Sequence, residues 1–111
     1  MKPEINFEAF VKVDLRVGTI IEVNDFPEAR KPAYQMRIDF GTLGIRKTSA
    51  QITQLYTKED LLGRQIVAVV NFPRKQIAQF MSECLVMGAV KEKDVMLLHP
   101  SQVVPNGSTV A

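Results

Sequence analysis

Apolar and polar side chains alternate strictly over residues 34–40, YQMRIDF. An extended chain places alternate residues on opposite faces, so the four apolar residues of this stretch share one face and Arg37 lies on the other. The pattern predicts a strand with one buried face.

A weaker alternation over residues 15–23, LRVGTIIEV, predicts an earlier strand. The buried face of this strand is expected to carry Leu15, Val17, Ile21 and Val23. A loop over residues 25–32, DFPEARKP, separates the two strands because it holds two prolines and several charges.

The rest of the chain divides into short segments. Asn6 is expected to cap a short helix that begins at Phe7. Apolar spacing predicts a longer helix over residues 50–63, in which Thr57 and Asp60 form a capping box before a final short turn. Further strands are predicted at residues 45–50, 65–70, 84–90 and 94–99.

Three strands, a helix and two strands make up the element order of the oligonucleotide/oligosaccharide-binding fold (OB-fold). We therefore expect an all-β protein with short helices, built as a five-stranded Greek-key barrel with a helix between strands 3 and 4. At 111 residues the chain is expected to form a single domain over residues 1–111, with an N-terminal helix and a C-terminal extension.

Positive charge is concentrated in the middle of the chain. Residues 30–75 hold nine basic and three acidic side chains, whereas the whole protein has a net charge of only +2. A basic block of this kind indicates either a solvated surface or a face that attracts phosphates or acidic polypeptides.

The OB-fold contacts its ligands through strands 2 and 3 and through the loops that join strands 1–2 and 4–5. The first loop carries Arg30 and Lys31, and the second, residues 71–83, carries Arg74 and Lys75. Basic pairs are therefore predicted at both contact loops.

Strands 2 and 3 add cations to this predicted site. Arg37 points away from the core, whereas Arg46 and Lys47 are adjacent on strand 3 and leave it on opposite faces. At most one of this adjacent pair is expected to join the binding face.

The second loop is unusually apolar. It contains Phe72, Ile77, Phe80 and Met81. These side chains either plug the open end of the barrel or line a groove that accepts a base or a peptide side chain.

The sequence gives little indication of catalysis. A lone histidine, His99, stands before Pro100, and the single cysteine, Cys84, excludes an internal disulfide and a thiolate metal cluster. Phosphate-binding glycine loops and histidine–acid metal motifs are absent. We expect a non-enzymatic protein with no cofactor and no metal.

Several segments resemble the CsaA family of export-related chaperones, which are built on a tRNA-binding domain. They are FEAFVKVDLRVGTI, ARKPAYQMRIDFG, SAQIT, LLGRQIVAVVNFPRKQIAQFMSE and VPNG. The resemblance implies an OB-type barrel, a homodimer and no catalysis.

The chain departs from the tRNA-binding relatives of this family in the second loop. Those relatives tend to carry a Ser-x-Gly-Met-like run there, whereas here Ser82 is followed by Glu83, Cys84 and Leu85. The basic residues that attract RNA regardless of its sequence remain.

Together with the basic loops, this resemblance implies a cytoplasmic homodimer that binds unfolded, export-bound polypeptides, with tRNA binding in the same groove as the alternative. The expected contact residues are Arg30, Lys31, Arg37, Arg46, Lys47, Asn71, Phe72, Arg74, Lys75, Phe80, Met81 and Ser82. Apolar residues at the two chain ends are the expected dimer interface: Phe7, Phe10, Val11, Val103, Val104 and Val110. The longest apolar runs are too short to span a membrane, and no membrane insertion is expected.

Overall fold

The computed structural model describes all residues, 1–111. Its helices are α1 (Phe7–Phe10) and α2 (Lys58–Leu61), with one 3-10 turn at Gly41–Leu43. Its strands are β1 (Leu15–Asp25), β2 (Tyr34–Asp39), β3 (Ile45–Ala50), β4 (Gln65–Val69), β5 (Lys75–Ile77), β6 (Phe80–Ser82), β7 (Leu85–Val86), β8 (Gly88–Lys91), β9 (Asp94–Leu97) and β10 (Thr109–Val110).

The strands form a nearly closed antiparallel barrel of the OB type. Its main sheet has the order β3-β2-β1-β4-β7, and β10 pairs with the start of β1. The Glu83 amide donates to the Lys47 carbonyl at 2.8 Å, which brings the two ends of the sheet together. The predicted fold class, with α2 between β3 and β4, is confirmed.

The interior of the barrel is filled by the apolar face of β2, as the strict alternation predicts. Met36, Ile38 and Phe40 have no exposed surface, and they pack against Ile20 from β1. A Cβ atom at Gly18 would lie 2.6 Å from Ile38 and 2.7 Å from Phe40, so glycine lets β1 approach β2 closely.

The face predicted for β1 is wrong at Ile21, although Val23 packs against the core as predicted. Ile20 is fully buried, whereas Ile21 is 42% exposed. The register between β1 and β2 shifts between Ile20 and Glu22, and this bulge turns the following residues over. Alternation alone cannot show such an insertion.

The long helix predicted over residues 50–63 is reduced to one turn, Lys58–Leu61. Its capping box is present, because Thr57 and Asp60 each bond the other's backbone amide through their side chains. The preceding segment is held in an irregular conformation by tertiary contacts: Ile52 is buried in the core, and the Tyr34 hydroxyl donates to the Tyr56 carbonyl.

The predicted fifth strand, residues 84–90, is divided between β7 and β8. Strand β8 leaves the barrel to form a separate hairpin with β9. The preceding loop also contains structure of its own, since β5 and β6 pair as a short hairpin. This β5–β6 hairpin projects beside the end of β3.

The C-terminal segment folds back over its own barrel. The Gly107 amide donates to the Val17 carbonyl at 2.7 Å, and the Val17 amide donates to the Ser108 carbonyl at 3.0 Å. The Thr19 hydroxyl donates to Asn106 Oδ1 at 2.7 Å. These contacts explain how the VPNG segment is fixed to β1.

Candidate binding site

An apolar cleft lies between the end of β3 and the β5–β6 hairpin. It has a volume of about 440 Å³, and 9 of its 14 lining residues are hydrophobic. Phe72 at its rim is 53% exposed and Leu85 is 44% exposed, so apolar surface is open to solvent. We call this the apolar cleft; its wall includes Ala50, Ile52, Phe72, Leu85, Val86 and Val95.

A second cleft lies between the β1–β2 loop and the other side of the hairpin, with a volume of about 630 Å³. Arg30, Lys31 and Lys75 line it together with one acidic residue, Glu28. We call this the basic cleft. The structure thus brings together cations from both loops that the OB-fold uses for contact.

The outward face of β2 and β3 carries the remaining predicted cations. Arg37 lies directly opposite Lys47 across the two strands, so both side chains leave on the same face. They border a hollow of about 110 Å³ together with Phe80. Lys47, rather than Arg46, therefore belongs to this outward face.

Phe80 is packed at the base of that hollow. Its ring centre lies 5.5 Å from that of Phe26, which is buried, and Lys47 Nζ lies 5.3 Å from the Phe80 ring centre. Phe80 thus joins the β5–β6 hairpin to the β1–β2 loop. Neighbouring Met81 is half-buried on the opposite face of the hairpin.

Arg46 leaves β3 on the face opposite Lys47. It is paired with buried Ile38 across β2 and β3, and its Nη1 donates to the Val70 carbonyl at 3.3 Å. Because the Arg46 guanidinium is hydrogen-bonded to the backbone at the end of β4, Arg46 does not belong to the proposed contact set.

Ser82 is also committed to internal contacts. It is buried, its hydroxyl lies 3.1 Å from the Thr48 hydroxyl, and it accepts from the Ser49 amide at 3.2 Å. These bonds fasten the hairpin to β3. Ser82 therefore has a positioning role rather than a surface to offer a ligand.

Cys84 lies beside this network. Burial raises the pKa of its thiol to about 11, although a hydrogen bond with Thr48 acts in the opposite direction. The thiol is protonated at neutral pH and is not a nucleophile.

Asn71 lies away from both clefts. Its side chain accepts from the Asp14 amide at 2.9 Å and donates to the Lys12 carbonyl at 2.7 Å. It fixes the connection between α1 and β1. Arg74, in contrast, is largely exposed, and its Nη2 lies 3.7 Å from a Glu83 carboxylate oxygen.

The apolar residues at the chain ends divide into two groups. Phe7, Phe10, Val11 and Val110 line a cleft of about 510 Å³ beside α1, and the first three are exposed. In the second group, Val103 is 87% exposed, whereas the Val104 backbone both donates to and accepts from the Gln65 side chain.

The sequence pattern did not indicate that the end of β3 is part of the site. Ser49 and Gln51 line both clefts and Ile52 lines the apolar cleft, and the helix predicted over residues 50–63 hid the positions of Gln51 and Ile52. Phe26 was also not predicted as part of the site. It is the single aromatic residue in a charged loop, which is a usable signal of an anchoring contact.

No group of three or more histidine, cysteine, aspartate or glutamate side chains is arranged to hold a metal ion. None of the helices is both long enough and apolar enough to cross a membrane.

The tRNA binding domain family matches residues 15–109. The chain is 35% identical over 106 residues to the methionine–tRNA ligase of Thermococcus onnurineus, which covers 96% of this chain but only 14% of the ligase. The chain therefore spans about one seventh of the curated relatives it matches. The shared part is their appended tRNA-binding domain, so their ligase activity does not transfer.

Two solved structures match along nearly their whole length. The chaperone CsaA of Bacillus anthracis has a TM-score of 0.94 and 52% identity, covering 98% of this chain and all of that one. The CsaA chaperone protein of Picrophilus torridus has a TM-score of 0.91 and 50% identity, covering 97% of this chain and all of that one. Together with the domain match, these similarities show that the chain belongs to the CsaA family, which is built on the tRNA-binding domain.

Proposed function

We propose that the protein is a non-enzymatic, CsaA-like chaperone that binds unfolded, export-bound polypeptides in the cytoplasm. The observation that carries this proposal is the apolar cleft, open at Phe72 and Leu85 and lined also by Lys75, on a scaffold 52% identical to a CsaA chaperone. An unfolded chain exposes the apolar side chains that such a cleft can bury.

The proposed contact set follows from the geometry. Phe72, Ile77 and Leu85 offer surface in the apolar cleft, Lys75 lines both clefts, and Arg30 and Lys31 line the basic cleft. Arg74, next to Lys75 in the chain, is exposed. Phe80 and Ser82 hold the hairpin in place, and Met81 lies on its outer side.

The test uses a permanently unfolded probe, a reduced and carbamidomethylated model protein. Phe72→Ala with Leu85→Ala should weaken its binding by about tenfold, which corresponds to about 1.4 kcal/mol of lost apolar contact. Val90→Ala is the matched control, since Val90 is 72% exposed on the β8–β9 hairpin, outside the cleft. Unchanged binding by the double variant would exclude the apolar cleft as the site.

A second candidate function is tRNA binding. It is favoured by the domain match and by Arg37 and Lys47, which lie side by side on the outward face of β2 and β3. RNA affinity should fall steeply as the salt concentration rises. A plot of log affinity against log salt concentration should have a slope of about −0.7 to −0.9 per neutralised phosphate. Arg37→Ala with Lys47→Ala should reduce that slope and leave binding of the unfolded probe intact.

We further propose that the protein is a homodimer. In a single chain Phe7 is 75% exposed and Val11, the C-cap of α1, is 55% exposed, and α1 contains no buried residue. Grouped apolar surface of this kind is typical of an interface. The C-terminal segment lies against its own barrel, so the N-terminal helix is the principal surface for a second copy.

A further inference from the structure

The apolar and basic clefts are two parts of one groove. Both are lined by Ser49, Gln51, Lys75 and Ile77. Because the same side chains form a wall of each cleft, a segment that crosses the end of β3 contacts both. We call the combined surface the joined groove.

The two halves of the joined groove have different chemistry. The apolar half is formed mostly by hydrophobic side chains. In the basic half Arg30, Lys31 and Lys75 are exposed and take no part in the ion pairs of the structure, which join Arg16 to Asp14, Lys58 to Asp25 and Arg74 to Glu83. These three cations outnumber Glu28, the one acidic residue there.

Resting on the chaperone function proposed above, we propose that the joined groove selects polypeptide segments in which an aliphatic or aromatic side chain stands close to a carboxylate. The apolar side chain enters the apolar half, and the carboxylate meets the cations of the basic half. A basic segment would be repelled there, and a purely apolar segment would leave the cations without partners. RNA has phosphates for the basic half but no aliphatic side chain for the other.

The expected selectivity is moderate because the cations are exposed. Exposed ion pairs contribute little individually and are weakened by salt. We expect an apolar–acidic peptide to bind about tenfold more tightly than an apolar–basic peptide at low salt. The difference should disappear in high salt, while the need for the apolar side chain persists.

The experiment compares four unstructured, dye-labelled peptides of one backbone by fluorescence anisotropy. They carry leucine or alanine at the central position, flanked by glutamate or lysine, with the spacing varied. The leucine–glutamate peptide should bind most tightly. Replacing its leucine by alanine should reduce binding to the background level.

A charge reversal adds a gain-of-function test. Lys31→Glu with Lys75→Glu should reverse the preference, so that the leucine–lysine peptide now binds more tightly than the leucine–glutamate peptide. Lys91→Glu with Lys93→Glu is the matched control, because it makes the same charge change at the β8–β9 turn, outside the joined groove. Circular dichroism checks that each variant is folded.

The outcomes separate the two proposals. If the unfolded probe binds but acidic and basic peptides bind equally well, the selectivity is wrong and the chaperone function stands. If neither the unfolded probe nor any peptide binds, both are wrong. If the reversed variant fails to fold, the comparison of the four peptides on the wild-type protein still decides the matter.

Discussion

Single residues fix the ends of this small barrel in place. Gly107 has φ +89°, and a Cβ atom there would lie 2.5 Å from the Phe40 carbonyl oxygen. Arg16 also donates to the Gly107 carbonyl at 3.0 Å. The turn therefore depends on both a left-handed backbone and a close approach that only glycine permits.

Gly107→Ala should destabilise the protein by about 2 kcal/mol or more, because left-handed strain and overlap with a backbone oxygen act together. Gly63→Ala is the matched control: Gly63 has φ +85°, but a Cβ atom there would meet nothing within 4 Å. It should cost about 1 kcal/mol. Urea unfolding of both variants measures the difference, and equal losses would show that the close approach contributes nothing.

Residue-level prediction from the sequence worked where alternation was unbroken. The burial of Met36, Ile38 and Phe40 and the exposure of Arg37 follow directly from period two. It could not decide between Arg46 and Lys47, because that choice depends on which residue pairs with buried Ile38 across the sheet. Cross-strand register is a tertiary property.

At the scale of elements, helix α2 is short enough to depend on its cap. The Thr57 side chain accepts from the Asp60 amide at 3.1 Å, and the Thr57 amide donates to Asp60 Oδ2 at 3.0 Å. These bonds from Thr57 lower the pKa of the Asp60 carboxyl below its usual 3.8.

A carboxyl with a lowered folded-state pKa stabilises the protein above its unfolded-state pKa, and this contribution is lost as the pH falls through the folded-state value. Asp60→Asn should therefore flatten the decline in stability below about pH 4. Glu59→Gln is the control, since it removes a carboxylate from the same turn without touching the cap. Melting temperatures across this range give the measurement; an unchanged acid decline would contradict the role of Asp60.

The same cap shows the limit of element prediction. Thr57 and Asp60 were identifiable because a capping box is a local motif. The absence of a helix before Thr57 could not be identified from the sequence. It arises because Ile52 enters the core and the Tyr56 hydroxyl accepts a hydrogen bond from the Leu97 amide at 3.0 Å. Contacts distant in the sequence outweighed helical spacing in residues 50–56.

For the whole molecule, sequence spacing placed basic residues at both contact loops, and the structure brings Arg30, Lys31 and Lys75 to one cleft. The sequence did not show that Lys75 also borders an apolar cleft. That adjacency arises because the β5–β6 hairpin folds against the end of β3, through the bonds of Ser82. The position of the proposed ligand site therefore depends on the hairpin, not on charge alone.

The proposed dimer is the last test at this scale. Phe7→Asp with Phe10→Asp should give a folded monomer, because both side chains are already exposed in the single chain and a charge there costs the barrel little. In a dimer the same carboxylates would be buried without partners, which opposes association. In the wild-type dimer, the two-fold interface would place two copies of the joined groove on one assembly. A long flexible ligand that binds both copies would gain avidity.

Light scattering at concentrations on the order of tens of micromolar should give twice the chain mass for the wild type and the chain mass for the double variant. Val90→Asp is the matched control, since Val90 is 72% exposed on the β8–β9 hairpin and should leave the dimer intact. A wild-type monomer would rule out the dimer, and the exposed face of α1 would then need another partner. A double variant that still dimerises would move the interface to Val103 and the C-terminal segment, where the second apolar group lies.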